Sequence, residues 1–231
     1  MAATQRDPPQ SFLSELTDRE ERDLRGRAVS RRFRRGATLV HQGEAPGRVL
    51  VIEAGRAKVT AITDDGREIV LAFAGPGDLL GELSALSGSP RAATVRALEP
   101  LSALAIARGD FETFLDANPR VALVILRVVI ARLHDADRQQ VEFAAYQTVT
   151  RVARRLVELA QRHGEQTGAA IRITLPISQE ELAGWAGASR EAITKALHDL
   201  RAMGLIETHR RHITVLDAEQ LGQMAGVARY S

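Results

Sequence analysis

The sequence predicts an α+β chain made of three consecutive parts: a β-sandwich or barrel, one long amphipathic helix, and a helix-turn-helix followed by a small hairpin. Three observations carry this. Between Thr38 and Ile106, short apolar runs alternate with glycine-bearing turns at spacings of about 8–12 residues, the rhythm of an all-β domain. From Leu126 to Phe143, residues recur at steps of three and four, the period of a helix that meets a partner along one seam. Beyond Ser178, two helical segments with polar caps are separated only by Ala186-Gly187-Ala188.

In order along the chain, residues 1–11 are polar, carry Pro8-Pro9 and are expected to form a mobile arm. Thr17-Asp18-Arg19-Glu20 has the Ser/Thr-x-x-Glu form of a capping box and predicts a short helix running towards Val29. Arg31, Arg32, Arg34 and Arg35 cluster around Phe33 and read as a solvated face. Strands are predicted at Thr38–Val40, Val49–Ile52, Ala57–Ile62, Ile69–Phe73 and Ala103–Ile106, with Asp65-Gly66 as a two-residue hairpin turn. After Phe111–Pro119 the period becomes helical. Leu126, Val129, Leu133, Ala136, Gln140 and Phe143 form the seam, imperfect at Gln140. Such a face either pairs with a second copy or packs on the chain's own barrel. The break after it is expected near residues 144–150.

Composition narrows the function classes. With 45% hydrophobic and 26% charged residues the chain is ordinary for a soluble globular protein. It has no apolar run long enough to span a bilayer and no secretory layout at its start, so a cytoplasmic, membrane-free setting is expected. Zero cysteines exclude disulfides and thiolate metal sites, and the six histidines show no metal-ligand spacing. No nucleophile triad or catalytic carboxylate pair emerges, so no enzyme activity and no metal are expected. Net charge is +2, with a mildly acidic middle and mildly basic ends, compatible with nucleic-acid binding at one end.

The most informative stretch is Gly81–Thr94, Gly-Glu-Leu-Ser-Ala-Leu-Ser-Gly-Ser-Pro-Arg-Ala-Ala-Thr. Gly81 lets backbone approach a ligand closely. Arg91 can clamp phosphate oxygens through charge-assisted hydrogen bonds. Glu82 makes sense beside a phosphate only if it reads something else, and a ribose hydroxyl is the natural donor. One carboxylate and one guanidinium around small residues suggest a sugar-phosphate cradle; the alternative is a surface turn with an ordinary Glu–Arg pair. Position by position the stretch resembles the phosphate-binding cassette of cyclic-nucleotide-binding domains, and the glycines before it fall where such a jelly roll would place them. That resemblance implies ligand contacts from Gly81, Glu82, Leu83, Ser84, Arg91, Ala92 and Ala93.

In the C-terminal third, residues 151–163 form an amphipathic helix with Val152, Leu156, Leu159 and Ala160 inward. A polar loop, His163–Ala170, and a strand, Ile171–Leu175, follow. Ser178-Gln179-Glu180-Glu181 is a second capping box, and Ser189 caps a helix to about Met203. On a helical wheel Ile193, Leu197 and Leu200 share one side, with Ala192 and Ala196 beside them. Arg190, Glu191, Thr194, Lys195 and His198 occupy the other. That polar face is built like a recognition helix, since arginine can fork onto guanine and glutamate can accept from cytosine. Leu205–Thr208 and His212–Val215 flank Arg210-Arg211 as a hairpin wing whose arginines suit phosphates.

From barrel to wing, residues 15–216, the chain resembles the CRP/FNR family of transcription regulators. Gln179-Glu180-Glu181-Leu182-Ala183 and Gly187-Ala188-Ser189-Arg190-Glu191-Ala192-Ile193 carry the match. The resemblance implies a cyclic-nucleotide-binding jelly-roll sensor at 15–118, a dimerisation helix at 119–145 and a winged helix-turn-helix at 146–231. It implies a homodimer on double-stranded DNA with a two-fold symmetric operator and half-sites related to TGTGA, and leaves RNA polymerase open as a further partner. DNA contacts would come from Ser178, Gln179, Ser189, Arg190, Glu191, Thr194, Lys195, His198, Arg210 and Arg211. The expected ligand is cAMP or another cyclic nucleotide. Ala136 and Asp137 stand where cAMP-binding members place a Thr-Ser pair on the adenine, so a different ligand, or none, is the alternative. Lys195 stands where arginine is frequent and offers a point charge in place of a fork.

Overall fold

The computed structural model describes residues 11–64, 66–209 and 212–226. The expected arm apart from Ser11, Asp65 of the expected hairpin turn, and Arg210 and Arg211 of the wing lie outside them. The chain divides into two compact units, 10–136 and 137–231.

The first unit opens with a 3-10 turn at Leu13–Glu15 and α1 (Asp18–Gly26), whose start is the expected capping box: Thr17 accepts from the Glu20 amide and Glu20 from the Thr17 amide. The strands are β1 (Val29–Phe33), β2 (Thr38–Val40), β3 (Arg48–Ala54), β4 (Ala57–Ile62), β5 (Glu68–Ala74), β6 (Leu79–Leu80), β7 (Thr94–Ala97) and β8 (Leu101–Ala107). They form two antiparallel sheets, ordered β1-β8-β3-β6 and β2-β7-β4-β5, an eight-stranded jelly roll.

β3 shows how the sequence builds this. Its four central residues, Val49 to Ile52, are all buried because both faces of the strand are covered. Leu50 and Ile52 join the core between the two sheets with Leu39, Val40, Val95 and Leu101. Val49 and Val51 point the other way, into a second core with Leu24, Phe111, Phe114, Val121 and Val124. A period of two sorts one strand into two cores. The second core is roofed by α1, by α3 (Arg108–Ala117) and by the start of the long α4 (Pro119–Ala145). One face of α4 therefore does pack on its own barrel. Leu123, Leu126, Ile130 and Leu133 are left exposed along another.

An ion pair also ties α1 to α4. Arg120 donates from Nε to Glu20 Oε1 at 2.9 Å and from Nη2 to Glu20 Oε2. The Arg120 hydrogen bonds, and lesser ones from Thr17, outweigh burial and pull the Glu20 pKa from 4.5 down to about 2. A carboxyl whose pKa is lowered by folding stabilises above its unfolded pKa and loses that contribution as pH falls through the folded value. Glu20→Gln should therefore be less stable near neutrality. It should also show a flatter loss of stability between pH 4.5 and 2 in acid denaturation followed by circular dichroism. An unchanged acid limb would show that the pair contributes nothing.

The second unit begins with the last turns of α4 and continues with α5 (Thr148–His163), β9 (Gly164–Thr167), β10 (Ala170–Ile173), α6 (Gln179–Ala186), α7 (Arg190–Ala202), β11 (Ile206–His209), β12 (His212–Val215) and α8 (Ala218–Met224). A sheet ordered β11-β12-β10-β9 flanks the helices. The loop expected at His163–Ala170 holds β9, whose four residues are all exposed. Val152, Leu156, Leu159 and Ala160 of α5 are buried as expected, as are Ile193, Leu197 and Leu200 of α7. α6 ends at Gly187, whose φ of +58° is left-handed, and a Cβ there would sit 2.6 Å from the Phe143 ring. Only glycine combines that turn with that contact. Phe143, assigned to the α4 seam by its spacing, thus lays its ring against the helix-turn-helix corner. Among the described residues, no helix is long and apolar enough to cross a membrane.

Candidate functional site

The first candidate site is the turn between β6 and β7. Gly81 caps the short helix α2 (Glu82–Ser87) with φ +83°, and a side chain at this position would collide with the Arg91 guanidinium. Arg91 itself is 4% exposed. Its Nη1 donates to the Gly81 carbonyl at 2.8 Å and its Nη2 to the Arg48 carbonyl, while Nε is buried with no hydrogen-bond partner. Burial, then the charge on Arg48, lowers its pKa against the opposing pull of Glu44 and Glu82. Among the described residues Arg91 forms no ion pair. A buried cation that feels carboxylates only at a distance and holds an unmet N–H is chemically suited to an anion.

The other sequence-predicted residues of this turn fall around it. Glu82 is 1% exposed, and burial pushes its carboxyl pKa up against the attraction of Arg132 and Arg91. Its Oε1 accepts from Arg132 Nη1 at 2.6 Å, and Arg132 Nη2 donates to the Leu79 carbonyl at 2.7 Å. Ser84 is buried and donates to the Pro90 carbonyl at 3.3 Å. Leu83 and Ala92 are exposed and Ala93 is half-buried. Ala136 and Asp137 lie on exposed turns of α4, and the Asp137 carboxylate accepts no hydrogen bond among the described residues. Sequence reasoning missed Arg48 and Arg132. Arg132 sits 50 residues from Glu82, and no local spacing rule connects them.

The second candidate site is the outer face of α7. Ser189 caps the helix by accepting from the Ala192 amide at 3.2 Å, and Ser178 caps α6 by accepting from the Glu181 amide at 3.1 Å. The two serines thereby fix the helix starts. Arg190, Glu191, Thr194, Lys195, His198 and Arg201 share one open, shallow face of the helix. Sequence reasoning also missed Arg201, although it stands seven residues, two helical turns, beyond Thr194. Its Nη1 donates to Thr208 on β11 at 3.2 Å. Gln179 and Glu180 are exposed at the start of α6, and Glu180 pairs with Arg190 across the corner. That hydrogen bond raises the Arg190 pKa. This face presents hydrogen-bonding groups of both signs along the ridge of a helix, the chemistry that reads base edges.

Comparison with known proteins assigns a family to each of the two stretches of chain that hold these candidate sites. The cyclic nucleotide-binding domain family covers residues 30–118, and the Crp-like helix-turn-helix domain family covers residues 150–224. The CRP-like cAMP-activated global transcriptional regulator of Mycobacterium tuberculosis is 34% identical over 193 residues, 84% of this chain and 86% of that protein. The fold is shared with a CRP-family transcriptional regulator from Thermus thermophilus, at a TM-score of 0.73 and 27% identity over 85% of this chain and 96% of that one. It is shared also with the c-di-GMP-responsive regulator CLP of Xanthomonas campestris, at a TM-score of 0.78 and 22% identity over 87% of this chain and all of that one. A cyclic nucleotide-binding domain and a Crp-like helix-turn-helix domain in one chain, 34% identical to such a regulator over 84% of its length, place this protein in the CRP/FNR family, whose members are transcription regulators and not enzymes.

Proposed function

We propose that this DNA-binding regulator is a cytoplasmic homodimer controlled by a cyclic nucleotide, with cAMP as the first candidate, and that it reads a two-fold symmetric operator. The observation that carries the ligand half is Arg91: a buried guanidinium with an unmet Nε–H and, among the described residues, no ion-paired carboxylate, above a glycine that leaves room for it. Arg91 would hold the phosphate and Glu82 a ribose hydroxyl, with Gly81, Leu83, Ser84, Ala92 and Ala93 shaping the cradle. The name of the mycobacterial relative, cAMP-activated, supports the same ligand class. The apolar residues left exposed on α4, among them Leu126 and Leu133, support a second copy as the partner of that helix. The sensor would span 15–118, the dimer helix 119–145 and the reader 146–231. On the reader, Arg190 and Glu191 would meet bases. Lys195, Thr194 and His198 would lie along the same face, and Ser178, Gln179 and Ser189 would stand at the helix starts near phosphates. The wing arginines Arg210 and Arg211 would also meet phosphates. Nucleotide in the sensor would favour one arrangement of the paired readers, a population shift in which ligand and DNA strengthen each other.

The test is fluorescence anisotropy of a TGTGA-type operator duplex with the full-length protein, with and without cAMP and cGMP. The reading expects cAMP to raise operator affinity. Asp137, as an acceptor for the adenine amino group, would favour cAMP over cGMP, a preference lost in Asp137→Ala. No effect of either nucleotide would remove the sensing half and leave the DNA-binding half standing. One observation favours that second reading, a regulator answering to another ligand or to none. Two donors of Arg91 are engaged by backbone carbonyls and Glu82 is engaged by Arg132, so the cradle is closed by its own groups.

A further inference from the structure

Glu180 is a carboxylate that the proposed function leaves without a role, on the surface where that function needs cations. It lies in the first turn of α6, is exposed, and takes a hydrogen bond from Nη2 of Arg190, the first residue of α7. The capping of α6 does not need it. Ser178 and Glu181 make both capping bonds, Ser178 Oγ with the Glu181 amide at 3.1 Å and Glu181 Oε2 with the Ser178 amide at 2.8 Å. Both partners of the Glu180–Arg190 pair are more than two-thirds exposed, so it contributes little to stability. What it does change is the charge that Arg190 presents. A free arginine at this position would bind any phosphate nearby, which adds affinity and no sequence information. An arginine held by a carboxylate is neutralised until a stronger fork of acceptors replaces it, and guanine O6 and N7 supply such a fork.

We propose that Glu180 is a positioning residue for sequence discrimination, tying up Arg190 so that it contributes to the operator complex through a guanine and not to non-specific DNA through phosphates. The inference rests on the DNA-reading role given to Arg190 above. In the non-specific complex the pair persists and Arg190 releases no counterion. In the operator complex the guanidinium leaves the carboxylate for the base edge.

The experiment uses full-length protein, a two-fold symmetric duplex selected from a random pool with the unmodified protein, and a shuffled duplex of the same length and composition. Glu180→Gln keeps size and hydrogen bonding and removes the charge. It should raise affinity for the shuffled duplex by about two- to five-fold, the range of an exposed ion pair. It should steepen the salt dependence on that duplex by about one phosphate's worth, a slope change of ~0.9. Affinity for the selected duplex should rise less, so the ratio between the two falls. In an Arg190→Ala background the same substitution should leave the ratio unchanged, which a merely structural role for Glu180 would not predict. Equal gains on both duplexes, or no change in the salt slope, would overturn the inference. An unmodified protein that prefers no sequence would instead overturn the DNA-reading role of α7, so the two failures are distinguishable.

Discussion

Replacing Arg91 by leucine should abolish nucleotide-stimulated operator binding while the DNA-binding unit stays folded. A charge-assisted hydrogen-bond set to a phosphate contributes about 1.5–3 kcal/mol, so nucleotide affinity should fall by about ten- to a hundred-fold. Direct binding by calorimetry reads that loss, and operator anisotropy reads its consequence. The substitution also removes the donors now given to the Gly81 and Arg48 carbonyls, and an orphaned buried acceptor costs about 1–3 kcal/mol. Some of that cost is offset because leucine, unlike the guanidinium, is not penalised for leaving water. A second variant separates the two effects. Arg91→Gln retains an N–H donor for one of those carbonyls but carries no charge, so it should melt closer to the unmodified protein and still fail to respond. Stimulation that survives in both variants would mean that the turn is not the nucleotide site.

The parts of the molecule visible in the sequence are those specified by neighbours along the chain. β4 occupies Ala57–Ile62 as its apolar run predicts, and both capping boxes stand where the Ser/Thr-x-x-Glu patterns place them. β1 is hidden for a physical reason. It is an edge strand whose residues are mostly exposed on both faces, so Arg31 and Arg32 carry no alternation. β6 is two residues long and owes its existence to pairing with Leu50 and Val51 of β3. The same division runs through the candidate sites. The Gly-Glu-Leu and Pro-Arg-Ala-Ala-Thr residues do converge, because a short helix and a tight turn join them. What closes on them comes from far away: Arg48 through its carbonyl and Arg132 through Glu82. Arg201 could have been found by extending the polar face of α7 one more turn. Glu180 could not, since its meeting with Arg190 depends on the angle between two helices. Tertiary geometry, and no pattern in the chain, decides such pairs.

The largest effect on stability is expected from Glu142, near the end of α4. Its carboxylate is 4% exposed and is held by Arg154 Nη1 at 2.8 Å and by Arg155 Nη2, both from α5. Arg155 is 3% exposed, gives Nη1 to Glu158 at 2.8 Å and lies 5.1 Å from the Trp185 ring. Arg154 lies 4.4 Å over the Tyr146 ring. Truncating Glu142 to alanine leaves Arg155 deep in the unit with Glu158, shared with Arg162, as its remaining carboxylate, and leaves Arg154, among the described residues, with the Tyr146 face. Removing one partner from a buried ion pair costs about 3–5 kcal/mol, a large part of a small domain's stability. Hydrogen exchange in the second unit should accelerate together across α5, α6 and α7, while the barrel stays protected. Replacing the cluster by apolar residues of similar volume, Glu142→Met with Arg155→Met, should recover most of the loss, because the desolvation of both charges disappears with them. If Glu142→Ala alone costs less than about 1 kcal/mol, water reaches the arginines and the cluster behaves as a surface network. In that case the last turns of α4 are not locked to the reading head by charge. Phe143 against Gly187 would then join them, with Arg151 of α5 as a bridge that lies 5.7 Å over the Phe143 ring and donates to the Tyr146, Ala186 and Gly187 carbonyls.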